Sequence, residues 1–236
     1  MIIAATSDVH APRFYEEFVR AVDRIDIQPD LFLLAGDMID RGQIDWYHKI
    51  FNAFRGRFKC PIMACFGNNE YIPDMRNEIK EKFHEIKFLD DDATQFKLDF
   101  NVVSVVGSIG ALDIPTNWQK AHIPDIEKVY QERINTVDRL LHRMVSNIRI
   151  VVTHYATTYK TLVGENSRVY GGMGSRMFEP VLINRKPTVA IHGHVHNGSK
   201  SAWVDHVPVF NVAFPLNREI VIIDTDKIKP GLAKYV

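Results

Sequence analysis

Five short apolar runs in this chain each end in a side chain that could bind a metal ion. The runs cover residues 2–6, 31–35, 62–66, 148–153 and 188–191. Stretches of helical length lie between several of them, such as residues 13–25, where apolar residues recur with a helical period. Alternating strands and helices predict a parallel sheet with helices on its faces. In such sheets the carboxyl ends of the strands form the ligand crevice, so the polar residues that follow the runs are candidates for one shared site.

The second half of the chain has a different pattern. Residues 94–98 and 101–106 leave no room for a helix between them, which predicts an antiparallel hairpin. A helix is expected from about 125 to 147, and further strands near 201–204, 207–210 and 219–223 close the chain. A parallel first half and a more antiparallel second half predict two stacked mixed β-sheets flanked by helices. No repeat or flexible linker divides the chain, so we expect a single domain over residues 1–236.

Composition excludes several classes of protein. The chain has 29 Lys and Arg residues and 29 Asp and Glu residues, so no net charge attracts it to nucleic acid or to a membrane surface. Its apolar runs are too short to span a membrane, and its start lacks the basic residues of a signal peptide. Cys60 and Cys65 would lie about 16 Å apart along a strand, too far for a disulfide. We expect a soluble cytoplasmic protein, and nothing in the sequence indicates its oligomeric state.

The polar residues after the five runs form a set with a common chemistry. They are Asp8, His10, Asp37, Asn68, His154, His194 and His196. Each alone is ordinary at a strand end as a turn or cap residue, but five strand ends carrying such residues together are not expected by chance. Three oxygen donors and four imidazoles suit two divalent ions such as manganese, iron, zinc, nickel or cobalt better than magnesium or calcium. A two-metal centre of this kind clamps the oxygens of an in-line displacement and supplies hydroxide at neutral pH.

The order of these residues resembles that of the calcineurin-like metallophosphoesterases, and of their small stand-alone bacterial and archaeal members in particular. The shared motifs are D-x-H, G-D-x-x-D, G-N-x-E, a lone His and G-H-x-H, spread from Asp8 to His196. The resemblance implies a four-layer αββα sandwich with two divalent metal ions, manganese being the preferred one. It implies that Asp8, His10 and His196 bind the first metal, that Asn68, His154 and His194 bind the second, and that Asp37 bridges the two.

Two further residues are expected at the phosphate. Arg41 follows the second Asp of GDMIDRG, a position at which the resemblance implies a phosphate contact, although a solvated turn residue is the alternative. Asn69 stands where the family usually has a His that assists the leaving group, and an amide has no titratable proton. The predicted catalytic residues are Asp37, Asn68, Asn69 and His154, with Arg41 and Asn69 binding substrate.

Three functions remain open from the sequence. The leading hypothesis is a dinuclear-metal-dependent phosphoesterase that hydrolyses a phosphodiester or a small phosphate ester by in-line attack of a metal-bound hydroxide. A phosphomonoesterase or protein-phosphatase-like enzyme is favoured by Arg41 and Glu70, but the missing His argues against it. A non-catalytic phospho-ligand-binding scaffold would be expected to have lost metal ligands, and none is lost. Two irregular segments, 107–124 and 155–174, are expected beside the site and do not identify the substrate.

Overall fold

The first sheet carries three of the five apolar runs. The computed structural model describes residues 1–70 and 73–228. The strands of this sheet are β1 (Ile2–Thr6), β2 (Leu31–Ala35), β3 (Ile62–Cys65), β4 (Ile86–Phe88) and β11 (Val221–Asp224). They lie in the order β11-β1-β2-β3-β4. Strands β1 to β4 are parallel, and β11 pairs with β1 antiparallel at the edge. The loops after β1, β2 and β3 therefore leave the sheet at one end.

The second sheet carries the other two apolar runs. Its strands are β5 (Asp92–Leu98), β6 (Asn101–Ser108), β7 (Ile148–Thr153), β8 (Val189–His192), β9 (Ser201–Val204) and β10 (Val207–Asn211). They lie in the order β5-β6-β7-β8-β10-β9. The expected antiparallel hairpin is formed by β5 and β6, and β6, β7, β8 and β10 run parallel to one another. Both sheets are mixed, as the sequence predicted.

Helices cover the outer face of each sheet. They are α1 (Tyr15–Asp23), α2 (Asp45–Phe54), α3 (Pro73–Lys82), α4 (Asn117–His122), α5 (Ile126–Arg143), α6 (Glu179–Arg185) and α7 (Phe214–Asn217). Four short 3-10 turns span Tyr159–Leu162, Ser167–Gly172, Arg176–Phe178 and Thr225–Lys227. One apolar cluster joins α1, α2 and α3 to the first sheet, and another joins α5 and α6 to the second. A third cluster lies between the two sheets, which makes the four-layer αββα sandwich.

The side chains of β2 show why the apolar runs are continuous. Leu31, Leu33 and Ala35 point into the layer between the sheets, while Phe32 and Leu34 point toward the helices. All five are fully buried. A strand with core on both faces has no polar side, so it appears in the sequence as an uninterrupted apolar run.

Several boundaries differ from the sequence prediction. The helices expected over 44–58 and 125–147 end earlier, at Phe54 and Arg143, because the next residues turn extended at Arg55 (ψ 122°) and Met144 (ψ 115°). The short strand β4 and the short helix α4 were not predicted. Both thiols are free, as expected. No helix in the described part of the chain is long and apolar enough to cross a membrane.

The layer between the sheets is expected to dominate stability. Leu33 is fully buried there, so we expect Leu33→Ala to lower the free energy of unfolding by about 3 kcal/mol through lost apolar contact and a residual cavity. Ile222→Ala, at a residue that is 42% exposed on β11, is the control and should cost less than about 1 kcal/mol. Urea unfolding followed by circular dichroism measures both. Equal losses for the two variants would contradict this description of the core.

Candidate metal centre

The loops after β1, β2, β3, β7 and β8 bring the expected ligand set together. Asp8, Asp37, His154 and His194 form one group, and Asp8, His10 and His196 form another, each with one ligand atom per residue within 4.8 Å of the rest. The Oδ1 atom of Asn68 lies 3.0 Å from Nε2 of His154, so the amide adjoins the first of these groups. All seven residues that were singled out from the sequence are therefore neighbours, although they come from both sheets.

Asp8 is anchored on one oxygen and faces imidazoles with the other. Its Oδ2 atom accepts hydrogen bonds from the Ser7 hydroxyl at 2.5 Å and from the His194 backbone N–H at 2.8 Å. Its Oδ1 atom lies 3.1 Å from Nε2 of His196 and 3.7 Å from Nε2 of His10. Oδ1 is thus the atom available to a cation held by those two rings.

Asp37 lies between imidazoles of the two groups. Its Oδ2 atom is 3.9 Å from Nε2 of His10 and 3.5 Å from Nε2 of His154. On the other side of the His154 ring, Nδ1 lies 3.0 Å from the carbonyl oxygen of Ala35. A carbonyl can only accept, so Nδ1 carries the hydrogen and Nε2 faces the carboxylate, as is usual for metal-binding histidines.

The electrostatics of the site require positive charge. Asp8 and Asp37 are almost completely buried, and no Lys or Arg among residues 1–70 and 73–228 forms an ion pair with either of them. Burial opposes ionisation, but the neighbouring histidines outweigh it and lower the pKa of both carboxyls. Burial likewise favours a neutral His154, yet the charge and hydrogen bond of Asp37 and the charge of Asp8 raise the pKa of that ring to about 9.

This donor set fits divalent metal ions. Two buried carboxylates and four imidazoles whose ligand atoms face one another offer both the charge and the nitrogen ligands that borderline transition metals prefer. Protonated histidines would also bring positive charge to the carboxylates, but imidazolium rings this close together repel one another. Dications satisfy the same carboxylates and bind the neutral rings directly.

Three glycines let the site loops approach one another closely. A Cβ atom on Gly193 would lie 2.5 Å from Oδ2 of Asp8, and one on Gly67 would collide with Oδ1 of Asp37. At Gly36 the backbone has φ +84°, and a Cβ there would lie 2.8 Å from Nδ1 of His154. Only glycine permits these contacts, so the glycines that follow the apolar runs are part of the site.

The backbone of the site is strained. Asp8, His10, Asp37 and His194 have φ values of 56°, 43°, 51° and 67°, in the left-handed region. Such conformations cost about 1–3 kcal/mol each for residues other than glycine and persist only where the surrounding structure enforces them. Four of the seven expected ligands have this unfavourable backbone conformation, and the side chains of all four lie in the cluster.

Glu70 organises the loops, a role that the sequence did not reveal. Its carboxylate is fully buried and accepts backbone N–H bonds from Gly67 at 2.7 Å, Asp37 at 3.1 Å and Met38 at 3.0 Å. The Tyr47 hydroxyl donates to it at 3.3 Å. Burial raises the pKa of Glu70, the charge of Asp37 adds to this, and the bond from Gly67 opposes it. Since both of its oxygens accept hydrogen bonds, Glu70 ties the β2 loop to the β3 loop. The motif position was visible in the sequence, but the burial was not.

Asn69 and Arg41 also lie on these loops. The side-chain amide of Asn69 donates to Oδ2 of Asp37 at 2.6 Å, and its backbone N–H donates to Oδ1 at 2.8 Å. Its side-chain oxygen accepts the backbone N–H of Arg41 at 3.0 Å. Asn69 therefore contacts an expected ligand directly, and Arg41 sits in an exposed turn with φ 45°. His192 is fully buried and bonds to Thr161, outside both groups of expected ligands.

A cavity of about 750 Å³ adjoins the cluster. Asn68 and His194 line it together with residues of α4, α5 and both segments that were expected beside the site. From the first segment come Trp118 and His122, and from the second come Tyr155 and Gly172. Lys120 lies at a separate, more open depression instead.

The fold and the cluster define the class of this protein as an αββα sandwich with a candidate metal-binding cluster at its strand ends. A family model described as calcineurin-like phosphoesterase matches residues 1–198. The chain therefore belongs to the calcineurin-like phosphoesterase family, whose members are metal-dependent and act on phosphate esters. No curated protein matches the sequence significantly.

Solved structures share the fold at low sequence identity. The phosphopantetheinyl hydrolase of Mycobacterium tuberculosis is 14% identical with a TM-score of 0.66, covering 90% of this chain and 89% of that one. TT1561 of Thermus thermophilus is 14% identical with a TM-score of 0.59, covering 95% and 98%. GAP50, described as the anchor in the inner membrane complex of Plasmodium, is 12% identical with a TM-score of 0.57, covering 91% and 72%. At these identities the similarity concerns the fold alone.

Close packing against Gly193 gives a direct test of the site geometry. We expect Gly193→Ala to displace Asp8 and to weaken metal binding about 10–100-fold, the range found when groups that position metal ligands are lost. Gly172→Ala is the matched control, because its Cβ would meet only the Ile114 carbonyl oxygen at 3.9 Å. Isothermal titration of the chelator-treated proteins with Mn²⁺ measures the affinity. Equal affinities in both variants would show that Asp8 is not a ligand held by this contact.

Proposed function

We propose that this protein is a dinuclear-metal-dependent phosphoesterase that hydrolyses a phosphodiester or a small phosphate ester. The observation that carries the proposal is the pair of adjoining carboxylate–imidazole groups at the strand ends, in a chain of a phosphoesterase family. Two dications and two carboxylates leave a positive site that is complementary to a phosphate. Manganese is the preferred ion, with iron, zinc, nickel and cobalt as alternatives. Cytoplasmic location and a single domain stay predictions.

The proposed ligand assignment follows the two groups. His10, His196 and Asp8 would hold one ion, His154, His194 and Asn68 would hold the other, and Asp37 would belong to both. The distances from Asp37 to His10 and His154 support the shared position, and Asp8 also lies within reach of both groups. When bound, such ions supply hydroxide at neutral pH and neutralise the charge that develops on the phosphoryl oxygens.

The chain's own residues have separate tasks in this proposal. The amide of Asn69 holds both oxygens of Asp37 in place and keeps the Arg41 turn against the site. The N–H of His154 is held by the Ala35 carbonyl, which fixes the ring so that its other nitrogen faces the cluster. Glu70 is not available to protonate a leaving group, because its oxygens accept backbone N–H bonds. Substrates with good leaving groups are therefore favoured.

The scaffold hypothesis gains no support from the site. A protein described as an anchor shares this fold, so the fold alone does not decide between catalysis and binding. Retention of all seven expected ligands within one cluster supports catalysis, because a scaffold has no need to keep strained backbone at four of them. A phosphomonoesterase remains the alternative, and tests with monoester and diester substrates must distinguish it from a phosphodiesterase.

Metal removal tests the proposal. Chelator-treated protein should be inactive toward bis(p-nitrophenyl) phosphate and p-nitrophenyl phosphate and should recover with Mn²⁺. Asp37→Ala should lower kcat/KM about 100-fold or more, because the carboxylate would no longer hold two ions together. Asp138→Ala on α5 is the control, since it breaks only an ion pair with Arg185 and should keep its activity. Elemental analysis should find two metal equivalents. A single equivalent at saturation, or full activity of Asp37→Ala, would overturn the dinuclear assignment.

Leaving-group dependence tests the role of position 69. No group with a titratable proton occupies it, so rates over a series of substituted phenyl esters should fall steeply as the phenol becomes less acidic. Asn69→His should make this dependence less steep by raising the rate for the poorest leaving group up to about 100-fold. Asn69→Gln serves as the non-titratable control. A shallow dependence in the unaltered protein would mean that another acid already acts. His122, which lines the adjoining cavity, would then be examined as His122→Ala.

A further inference from the structure

The cavity beside the metal cluster is predominantly apolar. Asn68 and His194 contribute to its lining from the cluster, and α4, α5 and the segment before them contribute aliphatic side chains. These are Ile109, Leu112, Ile123, Ile126 and Val129. At about 750 Å³ the cavity has the size of a site for a small organic ligand and is far larger than a phosphate group alone needs.

The charged residues in its wall are already paired. Arg76 donates to the Glu70 carbonyl oxygen at 2.6 Å and faces the carboxylate of Asp90 at 3.5 Å. Arg133 donates to the carboxylate of Asp91 at 2.9 Å. Each guanidinium group has a carboxylate partner within the protein, although Asp90 also pairs with Lys80, so neither arginine is an unpaired cation facing the cavity.

The buried polar groups in the wall are engaged with one another. The side-chain N–H of Gln119 donates to the Tyr155 hydroxyl at 3.2 Å, and its oxygen accepts the Thr116 backbone N–H at 2.8 Å. Gln119 and Tyr155 are both buried. A sugar or a nucleobase in this cavity would lose hydration without gaining these groups as partners, which is unfavourable.

Exposed apolar side chains lie close to the cavity as well. Trp118, which lines it, is 50% exposed. Ile114 is 57% exposed and is bonded through its backbone N–H to Gly171, next to the lining residue Gly172. Val169, 48% exposed, belongs to the same 3-10 turn as Gly172. An apolar surface beside an apolar cavity is typical of a binding site for a hydrophobic group.

We propose that this cavity binds an alkyl chain of the substrate, so that the substrate is an amphiphilic phosphate ester whose phosphate lies at the metal cluster. This inference rests on the proposed function for the position of the phosphate. The apolar lining indicates that the organic group attached to the phosphate is an alkyl chain. Ile123 and Val129 are its specificity-determining residues, because both are half-buried and lie on the cavity wall.

Substrates with one leaving group and different chains test this selection. In p-nitrophenyl methyl, butyl and octyl phosphate the released phenol is the same, so differences in kcat/KM report binding of the chain. Burial of each methylene should raise kcat/KM about three- to fourfold from methyl to butyl, with a smaller gain per methylene once the cavity is filled. Thymidine 5′-(p-nitrophenyl phosphate) is the polar comparison and should be cleaved more slowly than the butyl ester.

Matched substitutions locate the effect in the cavity. Val129→Ser should raise KM for the octyl ester about fivefold or more and should change KM for the methyl ester much less, because a methyl group buries little surface in the cavity. Val145→Ser makes the same change at a residue that is 87% exposed and does not line the cavity, so it should leave both unchanged. Ile123→Ser gives a second reading if Val129→Ser lowers the unfolding temperature.

Binding of unreactive analogues separates this inference from the proposed function. Methyl-, butyl- and octylphosphonate are titrated calorimetrically into the manganese-loaded protein, and affinity should rise with chain length and fall for octylphosphonate in Val129→Ser. If phosphonate affinity rises with chain length but no ester is hydrolysed, the proposed function is overturned and the alkyl site is kept. If the esters are hydrolysed but the phosphonate affinities do not depend on chain length, or if the thymidine ester is preferred, the alkyl site is overturned and the proposed function is kept.

Discussion

The buried carboxylate of Glu70 is the interaction on which the site depends. An ionised carboxylate in a protein interior is stable only where hydrogen-bond donors replace the lost water, and here four backbone N–H groups from two loops supply them. The donors come from Gly67 after β3 and from Asp37, Met38 and Ile39 after β2. The same contact that stabilises Glu70 therefore sets the distance between the loop carrying Asp37 and the loop carrying Asn68.

A second constraint is the pair of buried carboxylates, Asp8 and Asp37. Histidines surround them, and no Lys or Arg in the described ranges forms an ion pair with either. Three glycines let the loops approach closely enough for this arrangement. The left-handed backbone at four of the expected ligands costs free energy. The apolar layer between the sheets offsets it, since the strands that hold these loops are buried on both faces. The apolar contacts that stabilise the fold and the candidate metal ligands thus lie in the same strands and in the loops that directly follow them.

The candidate metal cluster and most of the adjoining cavity wall come from different regions of the chain. The strand-end loops supply all seven of the expected metal ligands, and these lie within the residues 1–198 that the family model matches. Most of the cavity wall is built by α4, α5 and the segment before them, and the expected ligands Asn68 and His194 line its edge at the cluster. Solved structures with the same fold carry different descriptions, including a hydrolase and an anchor. In the function and the alkyl site proposed here, substrate selection would be made by the wall and not by the sandwich that these proteins share.

The sequence by itself determined the sandwich and the identity of the seven clustered residues, because apolar periodicity and the residues at strand ends are local features. It did not predict β4, a strand of three residues, or α4, whose six residues begin at a capping box of Thr116 and Gln119. Only the tertiary structure decided that Glu70 is buried, that Asn69 holds Asp37, and that an apolar cavity adjoins Asn68 and His194. These properties join residues that are 32 or more positions apart or lie on different sheets, and burial and contact between such residues follow from packing, which no local pattern encodes.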